Sequence, residues 1–296
     1  MPELPDVIVY VNALERLLLG KSITKIIIQS PFLLRTFDPP IEAIEGLRLI
    51  GFERIGKRIV WQIENGMRLV FHLMIAGRYH WKTNPTRLPK SKMDLAAFQF
   101  DHGTMMLTEA SSNKRASLHV VAAADSLTQF DRGGLEVLDC TADQFKTQIR
   151  SQNRTLKRAL TDSVILSGIG NAYSDEILLA AKLSPLKRTL QLSDEEITRL
   201  FDATQQTLIL WIQRLTESSL SPFPEKVTAF RPEMMVHGKF KKPCPQCQTL
   251  IQRIRYADNE CNYCPRCQTG GKLLADRSLS RLLKDDWPKT IEELEG

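Results

Sequence analysis

Five of the six cysteines crowd into one stretch: Cys244, Cys247, Cys261, Cys264 and Cys267, with Cys140 standing apart. Cys244-x2-Cys247 is followed, after sixteen residues, by Cys264-x2-Cys267. That is the spacing of a four-thiolate zinc site, in which each CxxC turn presents two sulfurs to one tetrahedral ion. Cys261-x2-Cys264 offers an alternative knuckle. Pro265-Arg266 suits a tight turn and Gln268-Thr269-Gly270-Gly271 closes it, so Cys264 and Cys267 are preferred. A closed site of this kind holds one structural Zn²⁺ and leaves no coordination position for chemistry.

Two further clusters carry chemical potential. Ser167-Gly168-Ile169-Gly170-Asn171 leads into an apolar helical run, so free backbone N–H groups and a positive dipole end meet at one spot. That arrangement suits a phosphate; equally, glycines simply permit a tight turn between helices. At the other end of the chain, Met1-Pro2 is a context from which the initiator methionine is normally removed. The exposed proline amine would titrate about 2–3 units below lysine and be partly neutral near pH 7–8. Neutral amines attack aldehydes to form Schiff bases, and Glu3 beside it could shuttle protons. On residue types alone, Pro2 could also be an ordinary second residue.

The elements that must position these groups change character near residue 140. Val7, Val11, Leu14 and Leu18 recur at helical spacing, predicting an amphipathic helix over Pro5–Leu19. Short β-rich runs follow at Ile23–Ile28, Leu47–Phe52, Arg58–Ile63, Met67–Leu73, Leu95–Phe100 and Thr104–Thr108. Asn65-Gly66 and His102-Gly103 supply turns between them. The spacing predicts a β-sandwich of about 120 residues. Thr141 to Leu215 reads helical, with helix starts at Thr141-Ala142-Asp143 and Ser193-Asp194-Glu195-Glu196, the second running to about Thr216. Ser218 to Pro232 is a proline-bearing connector.

Composition narrows the class. The 296 residues carry 40 Lys plus Arg against 34 Asp plus Glu, and 43 % are apolar, as in ordinary globular proteins. No apolar run reaches the ~18–20 residues of a membrane span, and no secretion signal is recognisable, so secretion and membrane insertion are not expected and a cytoplasmic location is; a monomer is expected as well. From Lys272 onward five basic residues oppose six acids, a net of −1, so the preceding residues carry +7 of the total +6. Two stretches are basic without an acid: Arg150, Arg154, Lys157 and Arg158, and then Lys239, Lys241, Lys242, Arg253 and Arg255. Either alone is most simply a solvated face. Lying beside the glycine turn and the cysteines, they favour phosphate contacts.

Met1-Pro2-Glu3-Leu4-Pro5-Asp6, Gly56-Lys57-Arg58, His72-Leu73, Gly168-Ile169-Gly170-Asn171-Ala172-Tyr173 and the four cysteines occur in this order. Together they resemble the formamidopyrimidine-DNA glycosylase and endonuclease VIII family over about residues 2–268. The resemblance implies an α+β multidomain chain. An N-terminal β-sandwich with its flanking helix would occupy 2–120 and a helix–two-turn–helix domain 135–225. A zinc finger would follow at 234–268 and an extension at 269–296. It implies a partner, double-stranded DNA bearing oxidised bases or abasic sites, and a base-excision activity with abasic-site lyase chemistry. By the same resemblance Pro2 is the amine nucleophile at C1′, Glu3 the acid/base and Lys57 a phosphate contact that supports β-elimination. Gly170, Asn171, Lys157 and Arg158 would meet the DNA backbone, and the damaged base would have to leave the stack.

The chain departs from the family pattern at informative places. The finger arginine that supports δ-elimination is replaced by Asn259, between Asp258 and Glu260, so strong δ-elimination is not expected. Arg253, Arg255 or Arg266 are the charges that could compensate. His72-Leu73-Met74-Ile75-Ala76-Gly77 places Ile75 at the intercalating position. Ser111-Ser112-Asn113-Lys114-Arg115-Ala116 stands where the family has an Arg–Phe loop, so opposite-base preference cannot be inferred. These losses keep a second reading open: a zinc-finger protein that binds damaged DNA with weak or lost base excision. Trp287 and its charged neighbours suggest a surface helix in the extension.

Overall fold

The computed structural model describes the chain except residues 220–222, 226, 229, 256–258, 285–287 and 296, and the side chains of 277–279 and 295. Helix α1 runs Leu4–Leu18. Its apolar positions recur on one side, so Leu4, Val7, Leu14 and Leu18 are fully buried. Eight strands follow: β1 Lys25–Ile28, β2 Leu49–Ile55, β3 Arg58–Ile63, β4 Arg68–His72, β5 Gly77–Lys82, β6 Asp94–Phe100, β7 Gly103–Glu109 and β8 Ser117–Val121. They form two antiparallel four-stranded sheets, ordered β1-β6-β7-β5 and β2-β3-β4-β8. The predicted sandwich is present, closed by aromatic rings from both sheets. Trp61 of β3 lies 4.9 Å from Phe71 of β4, 5.1 Å from Phe98 of β6 and 6.0 Å from Tyr79 of β5, centroid to centroid. Such ring pairs add directional contacts to a large buried apolar area.

Strands β3 and β4 read as continuous apolar runs because both of their faces are covered. One face meets the ring cluster; the other packs Val60 and Val70 against Val121 and Phe130. Two strands escaped the sequence reading. β5 carries Arg78, His80 and Lys82 alternating with buried Tyr79, and β8 is short and contains His119, so neither forms an apolar run.

Helices dominate from Ala142 to Ser218, and the described residues between there and the cysteines are turns and irregular structure. Helix α2 spans Ala142–Arg150, with Gln144 N–H donating to the Thr141 hydroxyl at 3.3 Å, the cap that the sequence predicts. Helices α3 Leu156–Thr161, α4 Asn171–Ala180 and α5 Asp194–Ser218 follow. The finger is a two-stranded hairpin, β9 Gln252–Arg255 and β10 Glu260–Tyr263, leading into α6 Pro265–Thr269. Two short helices, α7 Arg277–Leu283 and α8 Ile291–Glu295, end the chain, and Trp287 lies outside the described residues. By packing, the chain divides into two compact units, Met1–Arg132 with Trp211–Ala229, and Gly133–Leu210 with Phe230–Gly296. The boundary falls inside α5. No described helix is long and apolar enough to cross a membrane.

Candidate active site and nucleic-acid interface

In the first unit, Pro2 and Glu3 directly precede α1. Glu3 and Asp6 are 2 % and 1 % exposed, and the Glu3 N–H donates to Asp6 Oδ2 at 2.9 Å. Two carboxyl groups at a helix N-terminus are favoured by the dipole and by its free N–H groups. Gly56, at φ +59°, turns the chain between β2 and β3 and sets Lys57 at the head of β3. Burial lowers the Lys57 ammonium's pKa, and the Glu3 carboxylate works against that shift, so the two side chains feel each other directly. The chain-terminal amine is held below its ordinary value of 8.0, first by burial, then by Arg78, with Lys57 adding to the effect and Glu3 and Asp6 opposing it. Carboxylates and cations therefore converge on the terminal amine, keeping a larger share of it neutral and nucleophilic near pH 7.

Arg78 was not anticipated from the sequence. It opens β5 just past the glycine turn, and its Nη1 donates to the carbonyls of Gly77 and Ile75 at 2.5 and 3.2 Å. The signal lay in the Gly77-Arg78 junction after His72-Leu73, where a charge alternates with the buried Tyr79.

The loop between β4 and β5 presents Ile75, 61 % exposed, at its tip. Met74 has φ +52°, and its N–H donates to His72 Nδ1 at 3.1 Å. Burial, with help from Arg58 and Lys57, pushes the His72 imidazole down to about 4, so it acts as a neutral acceptor. Gly77 N–H closes the loop on the Leu73 carbonyl at 2.8 Å. A Cβ on Gly77 would lie 2.2 Å from that same oxygen, which explains the glycine. An apolar side chain held outward on a fixed loop has the form of a wedge that can enter a base step. The neighbouring 111–116 segment is gathered by Glu109, 1 % exposed, whose carboxylate accepts from the N–H groups of Arg115 and Ala116 at 2.9 and 3.1 Å.

In the second unit, Gly168 takes φ +80° and Gly170 is the N-cap residue of α4. Asn171 opens that helix, and its Nδ2 donates to the Glu260 carbonyl of β10 at 2.8 Å. The asparagine thus ties the glycine turn to the finger hairpin.

Lys157 requires a correction. It was expected to contact DNA, but its side chain is 8 % exposed. Its ammonium donates to the Asn171 carbonyl at 2.7 Å, Ser174 Oγ at 2.8 Å and Asp175 Oδ1 at 2.5 Å. Three donors meet three acceptors within the protein, so Lys157 fixes the first turn of α4 instead of meeting phosphate. Asp175, fully buried, also accepts from His237 Nδ1 at 2.8 Å and Asn262 N–H at 3.1 Å. Glu176 beside it accepts from the N–H groups of Met235, Val236 and His237 at 2.8–2.9 Å. This acid pair, unremarked in the sequence, joins α3, α4, the 235–237 segment and β10. Arg158, one residue on, is exposed, and its guanidinium has no partner among the described residues.

The sulfurs of Cys244, Cys247, Cys264 and Cys267 lie within 4.8 Å of one another. Each knuckle is shaped locally: Gln248, at φ +63°, donates its N–H to the Cys244 carbonyl at 2.8 Å, and the Cys264 N–H donates to Gln268 Oε1 at 2.8 Å. Cys261 is excluded from the set. It is 1 % exposed and sits beside Asp175; burial, then that carboxylate, pushes its thiol well above the ordinary range. Four thiolates at this separation can hold one metal ion. Asn259 is exposed in the connection between β9 and β10, and Asp258 lies outside the described residues. Arg253 is already engaged, stacked 4.2 Å from the Phe240 ring and 3.2 Å from Glu260 Oε2, whereas Arg255 and Arg266 are exposed.

Known proteins match this arrangement along most of the chain. The N-terminal domain model of formamidopyrimidine-DNA glycosylase matches residues 1–113, and that enzyme's helix–two-turn–helix model matches 136–220. A formamidopyrimidine-DNA glycosylase-like protein of Mycobacterium tuberculosis is 38 % identical over 152 residues, 51 % of this chain and 94 % of its own. The chain belongs to the formamidopyrimidine-DNA glycosylase family. Formamidopyrimidine-DNA glycosylase of Lactobacillus helveticus is 27 % identical over 274 residues, 90 % of this chain and 99 % of that one. Among solved structures, the Lactococcus lactis enzyme bound non-covalently to abasic-site DNA is similar with TM-score 0.79 and 27 % identity. It is covered over 90 % of this chain and 99 % of its own. A MutM complex with DNA containing carbocyclic 8-oxo-G aligns with the same TM-score and identity.

Proposed function

We propose that this family member is a base-excision-repair DNA glycosylase acting on oxidised bases and abasic sites in duplex DNA. The observation that carries the reading is the convergence of Glu3, Lys57 and Arg78 on a terminal amine of lowered pKa. Removal of Met1 transfers that position to the Pro2 nitrogen. The amine attacks C1′ of the damaged nucleotide, the C1′–base bond breaks, and Glu3 protonates the sugar ring oxygen as it opens. A Schiff base then joins Pro2 to C1′. Loss of a C2′ proton expels the 3′ phosphate, completing β-elimination, while Lys57 holds a flanking phosphate. Ile75 fills the space of the extruded base, and the N-terminus of α4 at Gly170–Asn171 binds the backbone. The four thiolates hold a structural Zn²⁺ that shapes the finger hairpin. Asn259 carries no charge to stabilise a second leaving phosphate, so cleavage stops after β-elimination.

Borohydride trapping on duplexes containing an abasic site or 8-oxoguanine tests this. Covalent capture by the wild type, lost in Pro2→Gly, is the expected result; no capture with either substrate overturns it. Asn259 and the replaced 111–116 loop favour a second reading, a binder of damaged DNA without base excision. That reading predicts tight, lesion-selective binding with no trapped product.

A further inference from the structure

A cavity of about 530 Å³ lies wholly within the second unit, apart from the glycine turn and the metal ligands. Arg154, Arg158 and Arg188 line it together with Gln152, and Leu186 and Ile254 contribute an apolar wall. Its volume falls in the range of about 300–1,000 Å³ typical of small-molecule sites. Ala275 completes the lining, so the C-terminal extension helps to build it.

The arginines are carried on a fixed frame. Leu156 N–H donates to the Lys187 carbonyl at 2.8 Å and Thr189 N–H to the Arg154 carbonyl at 2.9 Å, pairing the two segments antiparallel. Buried Thr189 locks the frame, its hydroxyl donating to the Gln152 carbonyl at 2.6 Å and accepting from Arg154 N–H at 3.2 Å. Arg154 Nε donates to Gln152 Oε1 at 2.7 Å and lies 3.7 Å from Asp162 Oδ2, while Arg188 Nη1 reaches the Asn153 carbonyl at a long 3.4 Å. Among the described residues Asp162 is the one carboxylate paired with these three arginines, through Arg154, and the Arg158 guanidinium meets no described partner. Clustered planar forks of donors match the oxygens of a phosphate, and the apolar wall suits the body attached to it.

We propose that this cavity is a phosphate-binding site for a phosphorylated ligand, separate from the lesion-processing groups. The phosphate belongs either to a free phosphorylated molecule or to the backbone of a bound strand. Calorimetric titration of the metal-loaded full chain with inorganic pyrophosphate and with adenosine 5′-monophosphate tests the proposal. Both bind, adenosine does not, and Arg158→Gln or Arg188→Gln weakens binding by about tenfold or more while circular dichroism stays unchanged. Undamaged duplex DNA identifies the source. A strand in the cavity is displaced by pyrophosphate, and each arginine variant then flattens the log K against log salt slope by about 0.9. A free ligand leaves that slope unchanged and binds together with DNA. Pyrophosphate binding that both variants leave intact overturns the proposal. So does the absence of binding at millimolar concentration with an unaltered salt slope.

Discussion

Asp175→Asn removes one charge from a buried network while keeping the shape of the side chain. The wild-type carboxylate is fully buried, 2.5 Å from Lys157 Nζ and 2.8 Å from His237 Nδ1. Asparagine leaves the Lys157 ammonium, itself 8 % exposed, without its counter-charge. Breaking a buried pair by removing one partner costs about 3–5 kcal/mol, a large part of the ~5–15 kcal/mol that holds a domain together. With a urea m-value of about 2 kcal/mol/M, the midpoint should fall by about 1.5–2.5 M. Two probes separate the units. Three of the four tryptophans, Trp61, Trp81 and Trp211, belong to the first unit, so fluorescence is weighted toward it, whereas α2, α3 and α4, all in the second unit, contribute to far-UV ellipticity. The ellipticity midpoint should drop and the fluorescence midpoint should move much less. Replacing Lys157 as well, Lys157→Met with Asp175→Asn, should recover part of the loss, because no lone charge stays buried and the amide oxygen still accepts from the Asn262 N–H. A shift below about 0.5 M, or a double variant no more stable than the single one, would refute the reasoning. The same carboxylate gives an acid limit. Its pKa is lowered against the opposing effect of burial, chiefly by Lys157 and then His237. Its stabilisation is therefore complete above the unfolded value near 3.9 and is lost as pH falls through the lower folded value.

Three other measurements follow from particular contacts. His72 titrates at about 4 in the fold against 6.5 when free, so the unfolded chain binds more protons between these values. Stability of the first unit should fall as pH drops from 6.5 to 4, by at most about 3 kcal/mol, and His72→Gln should flatten that profile; parallel profiles would count against it. Cys267→Ser should release the bound metal to a chromogenic chelator while Cys261→Ser retains it, since only the former sulfur belongs to the cluster; the reverse order would assign the ligands wrongly. Gly77→Ala should displace the Ile75 loop, because its Cβ would meet the Leu73 carbonyl oxygen at 2.2 Å. Trapping on abasic DNA should fall while the sandwich melts within about 1–3 kcal/mol of wild type, as for other local backbone strain.

Patterns that repeat along the chain were readable before any coordinates. The α1 periodicity, the β3 run, the Asn65-Gly66 turn and the Thr141 cap each depend on neighbours within a few residues. The metal set was readable for the same reason, since two CxxC turns need only local geometry to aim their sulfurs. What escaped depends on distant partners. β5 and β8 lack an apolar run because part of each faces outward, and their strand character comes from pairing with β7 and β4. Arg78 acquires significance only once β5 brings it close to the terminal amine.

Lys157 and Arg158 show where reading by residue type stops. Adjacent and both cationic, they looked equally suited to phosphate. On a helix, neighbours point about 100° apart, so one can enter the interior while the next faces out. In α3 the inward place fell to Lys157, whose compact ammonium satisfies three acceptors converging from one turn of α4. The outward place fell to Arg158, whose broad fork lines an open cavity. A lysine placed at the positive end of α4 is electrostatically opposed to that dipole, and it is tolerable there because Asp175 lies in the next turn. Removing the acid therefore does more than delete one hydrogen bond. It turns Lys157 from a brace of the glycine turn into a charge that repels it, which is why the loss should be concentrated in the second unit.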